Sequence, residues 1–161
     1  MTPINLMEDL ANFIETANKD YFLTDDIVKN SPLIVSAGHL PIRDDAKEVK
    51  TPSITVTVIN IEDAVFDNGG GQSVANVRLY FNTYNEDLKK GWKEIYNLME
   101  HTRQALLKQR TISDKFLLQL PLKSAFPEPI EQPDALWSGV MEAKYIIAQP
   151  KEVTVIDGIK Y

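Results

Sequence analysis

The stretch Ser53-Ile54-Thr55-Val56-Thr57-Val58-Ile59-Asn60-Ile61 decides how the chain is read. Ile54, Val56 and Val58 alternate with Thr55 and Thr57, and β-branched residues dominate, which suits a pleated, half-buried strand. A second alternating run follows from Val74 to Thr83. Ala75, Val77, Leu79 and Phe81 fall on one side of it, Asn76, Arg78, Tyr80 and Asn82 on the other. The connection from Glu62 to Gln72 is turn-rich and carries Gly69-Gly70-Gly71. Two alternating runs around a glycine-rich tip predict an antiparallel hairpin.

On the N-terminal side, Leu6, Leu10, Phe13, Ile14, Ala17 and Tyr21 share one face at helical spacing. Asn5 is the expected cap of that helix, with Glu8 as its capping-box partner. A further helical turn is expected after Thr24, stopping by Asn30 because Pro32 restricts the residue before it. Leu33 to Ala37 reads as a short strand, and Gly38 to Pro52 as a loop.

On the C-terminal side, a long helix is expected from Leu88 to Leu107, capped by Asn85. Its apolar stripe is Leu88, Trp92, Ile95, Met99, Thr102 and Leu106, widened by Tyr96 and Leu107. Gly91 near its start costs about 1 kcal/mol relative to alanine. Lys115 to Leu120 reads as a strand, and Pro121 to Leu136 as a long proline-rich connection without secondary structure. Trp137 to Gln149 is the longest expected strand, and Val153 to Ile156 is a final edge strand or a free arm. The order predicts one α+β domain over residues 1–161, with its core in 5–149 and a strand or arm in 150–161. Its sheet is antiparallel, of about four to five strands, with the long helix and the N-terminal helix on one face.

The 161 residues include no cysteine, which rules out disulfides, zinc-thiolate sites and a cysteine nucleophile. At 43% hydrophobic residues the chain is too apolar to be disordered. No apolar run approaches the length that spans a bilayer, and Met1 to Asn5 lacks the features of a signal peptide, so a soluble cytosolic domain is expected. The net charge of -6 argues against nucleic-acid binding, which needs a basic face. Glu86 to Arg110 is nevertheless +2, leaving -8 for the rest. That segment reads either as a solvated helix face or as a docking face for an acidic neighbour, such as another copy of the chain.

No catalytic constellation is visible. The triple glycine lacks the Gly-Lys-Ser/Thr ending of a phosphate loop and is followed by a strand, where the phosphate loop needs a helix. His39 and His101 form no metal-binding pair. Asp25-Asp26 and Asp44-Asp45 are adjacent pairs, and neighbouring side chains diverge. No Gly-x-Ser-x-Gly elbow exists. Trp92 and Trp137 each fall on an apolar face and read as core, with a subunit interface as the other reading. No cofactor, metal or catalytic residue is assigned, and the chain does not read as an enzyme.

The layout resembles the tail terminator (tail completion) proteins of long-tailed bacteriophages and prophages. The resemblance rests on the N-terminal helix, the Ser53–Ile61 strand, the acidic glycine-rich tip and the strand running into Tyr80-Phe81-Asn82-Thr83-Tyr84. It continues through the long helix and the proline-rich loop that enters Leu136-Trp137-Ser138-Gly139-Val140-Met141. It spans residues 5–149 and leaves 151–161 outside.

The resemblance implies a structural virion protein that forms a ring, typically a homohexamer, on the last ring of tail-tube protein. Such a ring stops tube growth at the head-proximal end and offers a joining surface to the head-side connector, after assembly in the host cytoplasm. DNA would pass through without specific binding, helped by the acidic balance, and no membrane is involved. Contact candidates are the tip residues Asp67, Asn68, Gly69, Gly70, Gly71 and Gln72, and the helix bases Lys89, Lys90, Lys93 and Arg103. Pro127, Glu128 and Pro129 of the proline-rich loop complete the set. Two other readings stand beside this one: a different head–tail connector or neck protein, and a non-viral cytosolic α+β domain that binds a ligand or regulates.

Overall fold

The structure, a computed structural model, describes residues 2–19, 33–39, 52–128, 136–153, 155–156 and 158–160. The first helix, α1, runs Pro3–Ala17. Its cap is Thr2, not Asn5: the Thr2 hydroxyl accepts from the Asn5 amide, and the Asn5 side chain accepts in return from the Thr2 amide. Pro3 then occupies the first helical position, where its missing N–H costs nothing. The helical turn expected after Thr24 lies outside the described residues.

Strands β1 (Ile34–Ala37), β2 (Ser53–Val65) and β3 (Gly71–Tyr84) follow, and then helix α2 (Leu88–Lys108). Asp87, not Asn85, caps α2 by accepting from the Lys89 amide; Asn85 accepts from the Asp87 amide one step earlier. Beyond α2 come β4 (Thr111–Ile112), β5 (Phe116–Ala125) and β6 (Leu136–Ile147). The fold class is α+β as the element order implies, but the sheet has six strands, in the order β1-β2-β3-β6-β5-β4. The β1–β2 pair is parallel and every other pair is antiparallel. The chain ends in a separate two-stranded ribbon, β7 (Val155–Ile156) with β8 (Ile159–Lys160), so the terminal strand does not join the main sheet.

Several boundaries depart from the sequence reading. Strand β6 ends at Ile147, not Gln149, and with 12 residues it is shorter than β2 with 13 and β3 with 14, so it is not the longest strand. The expected final strand starts at Val155, not Val153. The hairpin strands reach further, to Val65 and back from Gly71, so Glu62 to Val65 belong to β2. Strand β5 does not stop at Leu120 but continues through Pro121 to Ala125. Its register with β6 breaks between Gln119 and Lys123, and a bulge is where a strand tolerates proline.

The core lies between the sheet and the two helices. Leu6, Leu10 and Ile14 of α1 and Ile95, Leu98, Met99 and Leu106 of α2 are fully buried against Ile54, Val56, Leu79, Phe81, Met141 and Tyr145. Each such side chain contributes about 1.5–3 kcal/mol by leaving water. α1 packs on β1 and β2, and α2 on β3 and β6. The helices are clasped by Asn18, the buried residue that ends α1. Its side chain donates to the Ile14 carbonyl at 2.9 Å and the Thr102 hydroxyl at 3.2 Å, and its Oδ1 lies 2.7 Å from His101 Nδ1.

The helix α2 is seated differently from its apolar stripe. Its buried arc runs through Gly91, Glu94, Ile95, Leu98, Met99, Thr102 and Leu106. Leu88, Trp92 and Tyr96 are left exposed. Trp137 is core, 5% exposed, but Trp92 is 45% exposed, so the reading of Trp92 as core is corrected. The cause is Gly91, whose bare backbone lets that arc of the helix settle onto the Trp137 indole.

Candidate interaction surfaces

Three surfaces stand out. The first is the far end of the β2–β3 hairpin. Gly71 pairs with Val65, and the turn closes through Phe66 N–H to the Gly70 carbonyl at 2.7 Å and Gly69 N–H to the Phe66 carbonyl at 2.9 Å. Gly69 takes a positive φ of 81°, a conformation that costs a side chain-bearing residue, and Asn68 Oδ1 accepts from the Gly70 amide. Gln72 lies within β3. Val65 is 74% exposed and Phe66 50%. They sit among Glu62, Asp63 and Asp67, with no basic residue from Ile59 to Asn76. The tip is therefore apolar and acidic together. Because β1 pairs with β2 only from Ser53 to Val56, the outer edge of β2 from Thr57 onward has no strand neighbour among the described residues. Such an edge is open to pairing with another chain.

The second surface is the flank of α2. Leu88, Trp92 and Tyr96 repeat every fourth residue, which aligns them along the helix. Trp92 meets Tyr96 edge-on with centroids 5.9 Å apart, and Tyr96 stacks on Phe126 at 4.4 Å. Lys93 Nζ lies 5.6 Å from the Trp92 ring centre, within cation–π range. Lys89, Lys90 and Lys93 are exposed around this strip. Arg103 is further along the helix and is engaged by Glu100, at 2.7 and 2.6 Å. That bidentate pair, with Gln104, holds the Glu100 carboxyl well below its ordinary value, at about 2. Pro127 is buried beside Phe126, Glu128 is exposed, and Pro129 lies outside the described residues.

The third surface is the sheet face turned away from the helices. Arg78 and Glu142 form an ion pair at 3.0 Å across β3 and β6, and Ser138 donates to Asn82 at 2.7 Å. Asn76 bonds Asn60 beside them. A cleft of about 210 Å³ opens here, lined by Arg78, Lys123, Glu142 and Lys144 with Asn60 and Asn76. Lys123 and Lys144 leave it net basic.

The sequence reading names the tip and the helix bases as contact candidates. It missed the aromatic strip, although the extra width that Tyr96 gave the apolar stripe was a signal that one arc could not bury everything.

Among the described residues no group of three His, Asp or Glu side chains is placed to hold a metal, and no helix is long and apolar enough to cross a membrane.

No protein-family model matches the chain, and no curated protein matches it. Among solved structures it is similar to a chain of the "Virion of native gene transfer agent (GTA) particle". The identity is 9% and the TM-score 0.43, over 91% of this chain and 98% of that chain.

Proposed function

We propose that the chain is a structural subunit of a phage-like virion that caps the tail tube, stops its growth and presents the head-side joining surface. The reading rests on the resemblance in element order to tail terminator proteins. The observation that carries it furthest is a compact α+β unit with two separate exposed surfaces, each combining aromatic or aliphatic side chains with charge. Contiguous exposed apolar surface on a small domain marks contact with another macromolecule. Two such surfaces on one chain suit a subunit that must touch both its own copies and a tubular partner. The partners are further copies of the chain, the tail-tube protein and a head-side connector. The mechanism is steric: a ring seated on the tube occupies the surface that the next tube subunit needs.

Polymerising the tail-tube protein with and without this chain tests the proposal. Shorter tubes of narrower length distribution support it, and an unchanged distribution at excess chain removes it.

The basic cleft between Arg78, Lys123 and Lys144 favours a second reading, a domain that binds a small anion. Saturable binding of a small anionic metabolite, lost in Lys123→Ala, would support that reading over the structural one.

A further inference from the structure

The two apolar surfaces lie toward opposite ends of strand β3, the tip at its start and the first turns of α2 just beyond its end. The hairpin tip carries Val65 and Phe66 among Glu62, Asp63 and Asp67. The α2 flank carries Leu88, Trp92, Tyr96 and Phe126 beside Lys89, Lys90 and Lys93. Of the acids on the helix side, Glu86 accepts from the Tyr84 hydroxyl and Asp87 caps the helix, while Glu128 is exposed two residues beyond Phe126. Lys89, Lys90 and Lys93 are the exposed bases at that end; at the other, Glu62 and Asp67 are exposed beside the apolar pair and Asp63 accepts from the Ser73 hydroxyl.

Distance decides between a contact within the chain and one between chains. β3 starts at the tip with Gly71 and ends at Tyr84, four residues before α2 begins. Its fourteen residues span roughly 45 Å at the rise of an extended strand. The tip cannot fold back onto the helix flank of its own chain.

We propose that the hairpin tip of one copy docks on the Leu88–Trp92–Tyr96–Phe126 flank of the next, with Phe66 as the apolar anchor and the acidic tip facing the lysines. The occupant is a second copy of this chain, selected by complementary charge around an aromatic contact. Aromatic anchors supply affinity and rim charges supply orientation and speed of encounter. Because the two surfaces differ, the contact is head-to-tail, and repeating it closes a ring or extends a filament. The inference rests on the reading that copies of the chain assemble, and it names the surfaces through which they do so.

Cysteine trapping tests it cleanly, since the chain has no cysteine of its own. Val65→Cys and Leu88→Cys replace exposed side chains and leave every charge and ring in place. The two variants are mixed and treated with a mild oxidant, in solution and on tail tubes, after circular dichroism confirms that both are folded. The expected product is a disulfide-linked heterodimer, several-fold more abundant than from Val65→Cys mixed with Gln104→Cys, whose helix position is exposed but remote. A chain carrying both Val65→Cys and Leu88→Cys should give a ladder of oligomers. Reversing Lys89, Lys90 and Lys93 to glutamate should suppress the product, and reversing Glu62, Asp63 and Asp67 to lysine in the partner should restore it. Heterodimer no more abundant than the Gln104 control in both settings overturns the contact, as does a yield indifferent to charge reversal. Tubes that are capped while the trap fails count against this contact alone. A trap that forms while tubes stay uncapped counts against the tail role alone.

Discussion

Gly91 of α2 lies directly over Trp137 of β6: a Cβ on residue 91 would fall 2.8 Å from the indole Cε2, inside any real contact distance. Trp137 is buried and its Nε1 donates to the Asn85 carbonyl at 3.4 Å, so the ring cannot swing away cheaply. Gly91→Ala should therefore destabilise the fold although alanine favours a helix. The propensity gain of about 1 kcal/mol opposes an overpacking cost of about 1–3 kcal/mol. Urea unfolding should show a lower midpoint with an unchanged slope.

The two tryptophans should separate stability from assembly. Trp137→Ala empties a buried site and should cost about 3–5 kcal/mol. Trp92→Ala removes an exposed ring whose pairing with Tyr96 is worth about 0.5–1.5 kcal/mol, so it should unfold nearly as the parent does. Its deficit should appear as loss of oligomers in sedimentation and loss of tube capping. A Trp92→Ala chain that assembles normally would remove the aromatic flank from the interface.

Tyr145 is fully buried, and its hydroxyl has no hydrogen-bond partner among the described residues. Burial pushes its phenol above the ordinary value near 10. Tyr145→Phe should be neutral or mildly stabilising, by up to about 1 kcal/mol, because it removes an unsatisfied polar group. The sign of the pH effect follows from the raised value: stability is intact below the unfolded phenol's value and falls as pH rises above it. The parent should lose stability above pH 10 by a component that Tyr145→Phe lacks, read as thermal midpoint against pH.

Glu100 has the opposite sign. Its carboxyl is held down to about 2, first by Arg103 and then by Gln104. The stabilisation is complete above the unfolded value near 4.5 and is lost as pH falls toward 2. Both partners of the ion pair are more than a third exposed, so solvent screening limits the effect to about 0.2–1 kcal/mol. Glu100→Gln should flatten that part of the acid limb in a denaturation series.

The hairpin, the span of α2 and the place of Trp137 were legible because each is written in local periodicity. The seating of α2 was not. Nothing in the sequence around Gly91 says that its neighbour in space is Trp137, and that single approach decides which arc of the helix is buried. The aromatic flank was hidden for the same reason, since a periodic stripe looks identical whether it faces the core or another molecule. The start of α1 carried a readable signal in Thr2-Pro3, which Asn5 and Glu8 masked. Strand β5 was cut short at Pro121 because a proline normally ends a strand, and only the register break with β6 explains its tolerance there.

Electron microscopy of isolated tail tubes incubated with the purified chain tests the central claim most directly. The account predicts a ring of density at one end of each tube, with tube growth from that end blocked. Bare tube ends at saturating chain, or binding scattered along the tube wall, would contradict it.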